Sequence, residues 1–552
     1  MTADSVADAN APVLIAGGGL VGLSTAMFLA QQGIASIALE RLRHGSPVPR
    51  AAHFHLRTLE LFRQAGIEDD VKRTSEEEFL PEGAIIAMDS LAGRKLADII
   101  GSLNAGVEAV SPCRRLFITQ PGLEPILRRR ARQAGATVLE GHELVDFDQD
   151  ASGVTVTARD VDTGRQRTLR GAYLVGADGA HSTVREQLEI PVDGRGVFSN
   201  SITIYFEADL RPQMLDKPIS VIYINNPAFG GFFRLSKDCR SGFLVVNTVG
   251  DPKTNPDAAN AASDVSEQRL VDFVRTGAGV PDLAVKITGL ARWRATSDVA
   301  RHYQHGRVFL AGDAAHVMPP NGGFGGNTGI HDAHNLGWKL AAVLRGVAQP
   351  TLLESYEPER KRVGKFTVEQ AYTRYVTRTA TYLGATDFQP LAPDFNIELG
   401  YLYRSPAIIV DGQSGDEPEH GDPVDNGARP GARAPHVWVQ AHGQRVSTLD
   451  LFGRGFVLLT TAEGNATWRH AAGLMLHTRP GLVLDCYAVG VDVQEETSAQ
   501  HTFADAYGLE SGGAVLVRPD GFVAWKTHSM PERADETLAQ ALDRVLGNGR
   551  AG

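Results

Sequence analysis

Residues 11–41, APVLIAGGGLVGLSTAMFLAQQGIASIALER, constrain the fold more than any other stretch of the chain. Val13–Ala16 is a short apolar strand. Gly17, Gly19 and Gly22 follow at once in GxGxxG spacing, and an apolar helix runs from about Leu20 to Gln32, where Gly33 ends it. Ile34–Leu39 is a second strand closing on Glu40. This order is a β-α-β unit. The first glycine makes the tight turn, the second admits a pyrophosphate to the backbone, and the third lets helix and strand pack closely. The helix start adds free N–H groups and a positive dipole end. An acid at position 40 suits the ribose hydroxyls of FAD or NAD and disfavours a 2′-phosphate. Gly17, Gly19, Leu20, Val21, Gly22, Glu40 and Arg41 are therefore read as a dinucleotide cradle.

Two more apolar strands end on acids. YLVGADGAHSTVRE (173–186) contains Asp178-Gly179, and RVFLAGDAAHVMPP (307–320) contains Gly312-Asp313. Acids at strand carboxyl ends of a parallel sheet are placed for ligand contact. Taken singly, each serves equally well as a turn residue or N-cap. After Pro320 come NGGFGGNTG and IHDAHNLGWKLAAVL, read as bare backbone and then a helix starting at Asn327 and Thr328. Glycines here remove the side chains that would block a flat ring.

Together these pieces resemble the class A, single-component flavoprotein aromatic hydroxylases. GGGLVG with Glu40, GADGAHSTVR and GDAAHVMPPNGGFGGNTGIHDAHNLGWKL carry the resemblance. PRAAHFHLRTLELF (49–62), FITQPGLEPIL (117–127) and SYEPERKRV (355–363) match at family-like intervals. The resemblance implies bound FAD, transient NADPH or NADH, and O2. It puts Asp313 on the ribityl chain, Arg50 by the isoalloxazine or pyrophosphate, Gln120 against the cofactor and Asp178 near the pyrophosphate. Pro320, Gly323, Gly325, Gly326 and Asn327 would pass along the ring, with a helix start facing its N1–C2=O edge. No second GxGxxG sits in a β-α-β context, so no separate nicotinamide domain is expected.

Residues 196–292 read as antiparallel sheet, from SNSITIYFEADL, ISVIYINN, GGFFRLS and SGFLVVNTVG, with a helix at 264–277 and a last strand at 283–294. Tyr223 and Phe232, with Tyr205, Phe229 and Phe233, are candidates to line a platform for a flat substrate. Core packing is the commoner use of any one aromatic. Past Pro435 the order β-α-β-α-β-β-α resembles a thioredoxin-like domain. It has no CxxC, and Cys486 is a lone strand cysteine, so redox work is not expected. ARPGARAPHVWV (428–439) and LVRPDGFVAWK (516–526) resemble tails of anthracycline-type polyketide hydroxylases. LGYLYRSPAI (399–408) resembles a segment near their substrate pocket, which makes Tyr403 and Arg404 candidates for substrate contact.

The expected class is α/β and α+β. A Rossmann-like FAD-binding domain takes 1–195, with possible substrate-domain strands near 80–115, and resumes with a helical segment at 293–410. An antiparallel-sheet substrate domain takes 196–292. A linker at 411–434 leads to a thioredoxin-like domain at 435–552.

Composition narrows the partners. The 552-residue chain has a net charge of −11, which argues against nucleic acid or an anionic membrane. The uncharged stretch Ala9–Leu39 has the length of a membrane span, but its glycines and glutamines suit the β-α-β unit better. Cys113, Cys239 and Cys486 show no metal-type spacing, which suits a reducing cytoplasm. His316, His331 and His334 are close in sequence, yet the flavin reading uses the whole segment, and no metal is expected. The resemblance implies hydroxylation of an electron-rich aromatic small molecule through a flavin C4a-hydroperoxide. A polycyclic aromatic polyketide is the first reading. A small phenol or phenylpropanoid, or a Baeyer–Villiger outcome, are alternatives, and a flavin-binding interaction protein is the non-enzymatic one. His53 and His55 are the further candidates for the catalytic base. A monomer or homodimer is expected.

Overall fold

The structure is a computed structural model. It describes residues 10–548 apart from 44, 46–52, 81–82, 215–216, 218, 250–257, 259, 264, 381–382, 411–417, 442 and 497–501.

The glycine-turn unit forms as its pattern dictates. Val13–Ala16 and Ser36–Glu40 flank the helix Leu20–Gln31. They lie centrally in a six-stranded sheet ordered Gln304–His305, Val308–Leu310, Tyr173–Gly176, Val13–Ala16, Ser36–Glu40, Thr137–Glu140. All pairings are parallel except that of Gln304–His305 at one edge. All four residues of Val13–Ala16 are buried, as a doubly covered parallel strand requires. The helix Leu20–Gln31 packs on the long helix Phe324–Leu344. That long helix starts three residues before the expected Asn327. Gly323 turns the chain at φ 73° and caps it, so Gly325 and Gly326 fall in its first turn.

The second layer is an eight-stranded sheet. Its order is His316–Val317, Lys286–Ala300, Val192–Glu207, Ser241–Val249, Phe229–Leu235, Ile219–Asn225, Ala84–Met88, Lys95–Ile100. The two strands near 80–115 thus join the sheet formed mainly by 192–300. Helix Glu267–Ala278 covers one face, where Phe229, Phe233, Leu244 and Val274 are buried together. The opposite face looks toward the glycine-rich loop.

Apart from a small sheet of Trp438–Ala441, Gln444–Ser447 and Gln494–Glu495, the C-terminal part has the element order β-α-β-α-β-β-α. Its sheet runs Leu484–Val489, Phe456–Thr461, Ala514–Val517, Val523–Thr527, with only the first pair parallel. Trp468, Leu538 and Leu542 of its helices share a core cluster with Trp338 and Ala342 of the long helix Phe324–Leu344. The polar stretch before it is anchored too. Ala428, Ala432 and Ala434 are buried, and Arg433 holds Glu60 at 2.6 Å.

Candidate active site

The carboxyl ends of the central parallel strands, the loop before Phe324 and the open face of the large sheet enclose one cavity of about 1530 Å³. A single small-ligand pocket takes roughly 300–1,000 Å³. Gly17, Gly19, Leu20, Val21, Glu40 and Arg41 line one end.

The three motif glycines have separable reasons. Gly17 has φ 98°, and a Cβ there would meet the Ala177 carbonyl oxygen at 2.2 Å. A Cβ on Gly22 would meet the Gly17 carbonyl oxygen at 1.9 Å, so Gly22 sets helix packing and does not line the cavity. At Gly19 the nearest atom to such a Cβ is Glu124 Oε1, at 3.7 Å. The protein has room for a side chain there, and only a ligand lying on the backbone would exclude one. A pyrophosphate fits that requirement. Glu40 accepts the N–H groups of Gly18 and Leu42, each at 2.8 Å. A carboxylate keeps lone pairs beyond those two for ribose hydroxyls.

Asp178 and Gln120 line the cavity while serving local structure. Asp178 accepts from Ser182 Oγ at 2.6 Å and Val184 N at 3.1 Å, and burial pushes its carboxyl above the usual range. Gln120 donates to Glu124 Oε1 at 2.6 Å. Asp313 stands exposed on the turn Gly312–Ala314 and lines the cavity. A Cβ on Gly325 would lie 3.9 Å from its Oδ1.

That turn is braced from beneath by Asp332, a residue the sequence did not single out as structural. Asp332 accepts from Gly312 N at 3.0 Å, His316 Nε2 at 2.8 Å and Arg360 Nε at 2.7 Å. Burial opposes its ionisation, but Arg360 and His316 outweigh burial and hold the carboxyl below its usual range.

Pro320, Gly322, Gly323, Gly325 and Gly326 line the cavity, and the helix start offers its orphan N–H groups there. Asn327 does not line it. Its Oδ1 accepts from His55 N at 3.0 Å and Thr58 Oγ1 at 2.6 Å, and its Nδ2 donates to the His53 and Gly323 carbonyls at 2.9 and 2.7 Å. Because the helix begins at Phe324, Asn327 faces inward and ties the loop to the strand His53–Phe54. Its side chain is spent on that tie. Arg50 lies outside the described residues.

His53 and His55 both line the cavity. His55 Nε2 donates to the Gly322 carbonyl at 2.8 Å. His53 stacks on Phe117 at 4.6 Å, and among the described residues its buried Nε2 has no hydrogen-bond partner. Burial, then the neighbouring His55, hold the His53 pKa well below the usual range, so the ring is neutral.

Tyr403 and Arg404 do not line the cavity, which corrects the expectation of substrate contact. Tyr403 is buried, accepts from Arg360 Nη1 at 3.0 Å and stacks on Phe522 of the tail at 4.0 Å. Its N–H donates to the Gly431 carbonyl at 2.8 Å. The segment 399–408 fills the seam between the helix Tyr356–Arg374 and the C-terminal sheet, so its aromatics pack inside the protein. Arg404 is half-buried beside the same seam.

The platform is built by strand alternation. Tyr223, Phe232, Val245, Thr203 and Ala291 stand side by side across five strands. Arg234, Phe243 and Tyr205 form the next row, and both rows line the cavity. Phe229 and Phe233 point to the other face and are fully buried. Arg115, Phe117, Arg234 and Arg374 were missed among the lining residues. Arg234 has the same parity as Phe232, so alternation alone could have found it. Arg115 and Arg374 carry no such signal; they hold Glu398 at 2.8 Å and Asp394 at 2.5 Å.

His316, His331 and His334 take separate partners: Asp332, Thr58 and the edge of Phe28. Among the described residues no cluster of three or more metal-ligating side chains occurs, and no helix is long and apolar enough to cross a membrane.

Comparison with known proteins matches this geometry. An FAD binding domain family model covers residues 10–371, and an aromatic-ring hydroxylase C-terminal model covers 427–549. A 4-methyl-5-nitrocatechol 5-monooxygenase of a Burkholderia species is 48% identical over 541 residues, 98% of each chain. An aklavinone 12-hydroxylase of Streptomyces purpurascens is 37% identical over 98% of this chain and 99% of its own. The solved ternary complex of aklavinone-11 hydroxylase with FAD and aklavinone superposes with a TM-score of 0.90 at 36% identity, over 98% of this chain and 99% of that one. With a cradle, a glycine loop and an aromatic wall around one cavity, the chain belongs to the family of FAD-dependent aromatic-ring monooxygenases.

Proposed function

We propose that this chain hydroxylates a flat, electron-rich phenol, with NAD(P)H as reductant and O2 as oxidant, and that the phenol is polycyclic. The single cavity carries the reading. It joins the Gly17–Gly22 cradle, across the Pro320–Gly326 loop, to the aromatic rows of the sheet. Bound FAD supplies hydride acceptance and oxygen activation. The chain's own residues hold and orient. Glu40 and Gly19 would seat the ADP half, and Asp313 and the helix start at Phe324 would face the ring half. The row from Ala291 to Tyr223 crosses five strands, about 19 Å at ~4.8 Å per strand spacing. A fused-ring phenol can lie along the whole of such a wall. His53, neutral and with a free Nε2, is suited to orient a phenol hydroxyl by hydrogen bonding and is too weakly basic for much more.

The second reading is a small nitrocatechol. The 48% identity to a 4-methyl-5-nitrocatechol 5-monooxygenase favours it, against 37% for the aklavinone hydroxylase. Purified enzyme loaded with FAD is mixed with NADPH or NADH under ¹⁸O2, with dihydroxyanthraquinones or 4-methyl-5-nitrocatechol added. The expected result is phenol-stimulated reductant oxidation with one ¹⁸O in the product. Oxidation that no phenol accelerates would overturn the reading.

A further inference from the structure

A buried cation on the cavity wall has no salt-bridge partner among the described residues. Arg234 is 3% exposed and lines the cavity from the strand Phe229–Leu235. Its guanidinium lies 3.5 Å over the Phe117 ring and 3.9 Å over the Phe79 ring. Among the described residues its only hydrogen bond is from Nη1 to the Ser220 carbonyl at 3.3 Å, and its Nε–H has no acceptor. The nearby acid, Glu78, is engaged by Thr119 through its N–H at 2.6 Å and Oγ–H at 2.7 Å. The other lining arginines are paired or less buried: Arg41 is exposed, and Arg185 and Arg378 are half-buried. Arg115 and Arg374 hold Glu398 and Asp394, and Arg292 and Arg294 are exposed.

An arginine stays protonated, and a buried charge without a partner is costly. Burial indeed disfavours its charged form, and only Glu78 eases this. The two phenyl rings pack against the guanidinium without accepting its hydrogen bonds, and its Nε–H is unspent among the described residues. The Nε edge of a guanidinium is a fork whose geometry fits two coplanar oxygens. The place is also right. Phe117 stacks on His53, and His53 packs against Gly323 of the flavin loop. Two stacked rings, Phe117 and His53, therefore span the distance from Arg234 to that loop.

We propose that Arg234 is a specificity-determining residue that recognises a planar two-oxygen substituent, nitro or carboxylate, on the aromatic substrate. This deepens the functional reading above and rests on it. A phenol without such a group leaves the Nε–H unsatisfied, and a phenol with one completes the site.

The test uses the full-length FAD-loaded enzyme and two matched series. The first is 4-methyl-5-nitrocatechol, 4,5-dihydroxy-2-methylbenzoate and 4,5-dimethylcatechol. The second is 1,8-dihydroxy-3-methylanthraquinone and its 3-carboxylate counterpart. Binding is read from perturbation of the flavin absorbance, which needs no turnover. In at least one series the oxygen-bearing member is expected to bind about tenfold or more tightly than the methyl member. Arg234→Met should collapse that preference to below about threefold, and Arg234→Lys, a point charge without the fork, should fall between. Equal binding of both members on both scaffolds overturns the proposal, as does an Arg234→Met protein that keeps its flavin and its preference. If Arg234→Met loses FAD, the wild-type ratio and the Arg234→Lys variant decide. NADPH oxidation is followed in parallel. Preference without stimulated oxidation would sink the hydroxylase reading and leave this subsite standing; stimulation without preference does the reverse.

Discussion

Gly17 and Gly19 are two residues apart, yet the structure assigns their missing side chains to different causes, and alanine substitution separates them. In Gly17→Ala the new Cβ falls 2.2 Å from the Ala177 oxygen and 2.7 Å from its carbon, both backbone atoms, at φ 98°. Left-handed strain of about 1–2 kcal/mol adds to an overpacking cost of about 1–3 kcal/mol. The loss is therefore about 2–5 kcal/mol whether or not FAD is bound. Gly19 has φ −79° and ψ −164°, which alanine adopts freely, and its Cβ meets nothing closer than 3.7 Å. Losing a glycine N-cap costs a few tenths of a kcal/mol or more, and the reduced freedom of the unfolded chain returns roughly 0.4–1 kcal/mol. Apo stability should thus hold within about 1 kcal/mol. FAD affinity should not, because a methyl group between backbone and pyrophosphate removes a charge-assisted hydrogen bond of about 1.5–3 kcal/mol, some 10- to 100-fold in Kd. Apoprotein melting temperature and FAD titration by flavin fluorescence quenching measure the two terms separately. The reasoning fails if Gly19→Ala binds FAD within about threefold of wild type, or if apo Gly17→Ala melts like wild type.

Other expectations follow from the buried charges and the seam. Asp332→Ala leaves the Arg360 guanidinium buried without its carboxylate, at a cost of about 3–5 kcal/mol; thermal melting should show it, together with loosened FAD as the Gly312-Asp313 turn relaxes. The carboxyls of Asp332, Glu60 and Asp520 are all held below their unfolded values. Their stabilisation is therefore complete above about pH 4–5 and is lost as pH falls through the folded values, so acid titration should release FAD and unfold the chain together below about pH 4. Tyr403→Phe and Arg404→Ala should change the KM for the phenol by less than about twofold, and a large KM effect would restore them to the substrate pocket. Burial pushes the Cys486 thiol up to about 11, so at pH 8 its alkylation by iodoacetamide should run about 100-fold slower than that of an unperturbed thiol.

The parts of this protein legible in its sequence are those whose cause is local. The glycine turn, the helix after it and Glu40 sit within 28 residues, Val13 to Glu40, so their spacing is readable there even though Gly17 itself clears the Ala177 carbonyl. The apolar runs of the large sheet were legible as strands, but not the face each aromatic takes. Parity put Tyr223 and Phe232 on the cavity and sent Phe229 and Phe233 to the core against helix Glu267–Ala278. The same parity was enough to mark Arg234. Asn327 was misjudged because one left-handed residue, Gly323, starts the helix early and rotates the asparagine inward. Tyr403 lay beyond sequence reasoning, since its partners Arg360 and Phe522 stand 43 and 119 residues away and meet only after the tail docks.

That docking explains why a tail without redox cysteines is built into the enzyme. Arg518 donates to Glu359 at 2.7 and 2.9 Å, Lys339 reaches the same carboxylate at 2.8 Å, and Asp520 takes Trp338 Nε1 at 3.1 Å. Lys339 and Trp338 belong to the helix whose first turn faces the cavity, and Glu359 to the helix that carries Arg360. Arg57 adds a hydrogen bond from the helix following His55 to the Asp520 carbonyl, at 2.5 Å. The tail thus grips both helices behind the flavin loop and the helix Leu56–Gln64 that follows His55. All these charges are buried, where each is tolerable only while its partners stay in place. Arg518→Met, close in volume but uncharged, should cost about 3–5 kcal/mol through the orphaned Glu359 and Asp520. Because those acids brace the long helix, FAD should dissociate in the same thermal transition that unfolds the tail. Differential scanning calorimetry with flavin fluorescence decides it. One coincident, lowered transition supports a tail that acts as a clamp on the cofactor loop. A tail that melts separately while FAD stays bound would show that the clamp carries no weight.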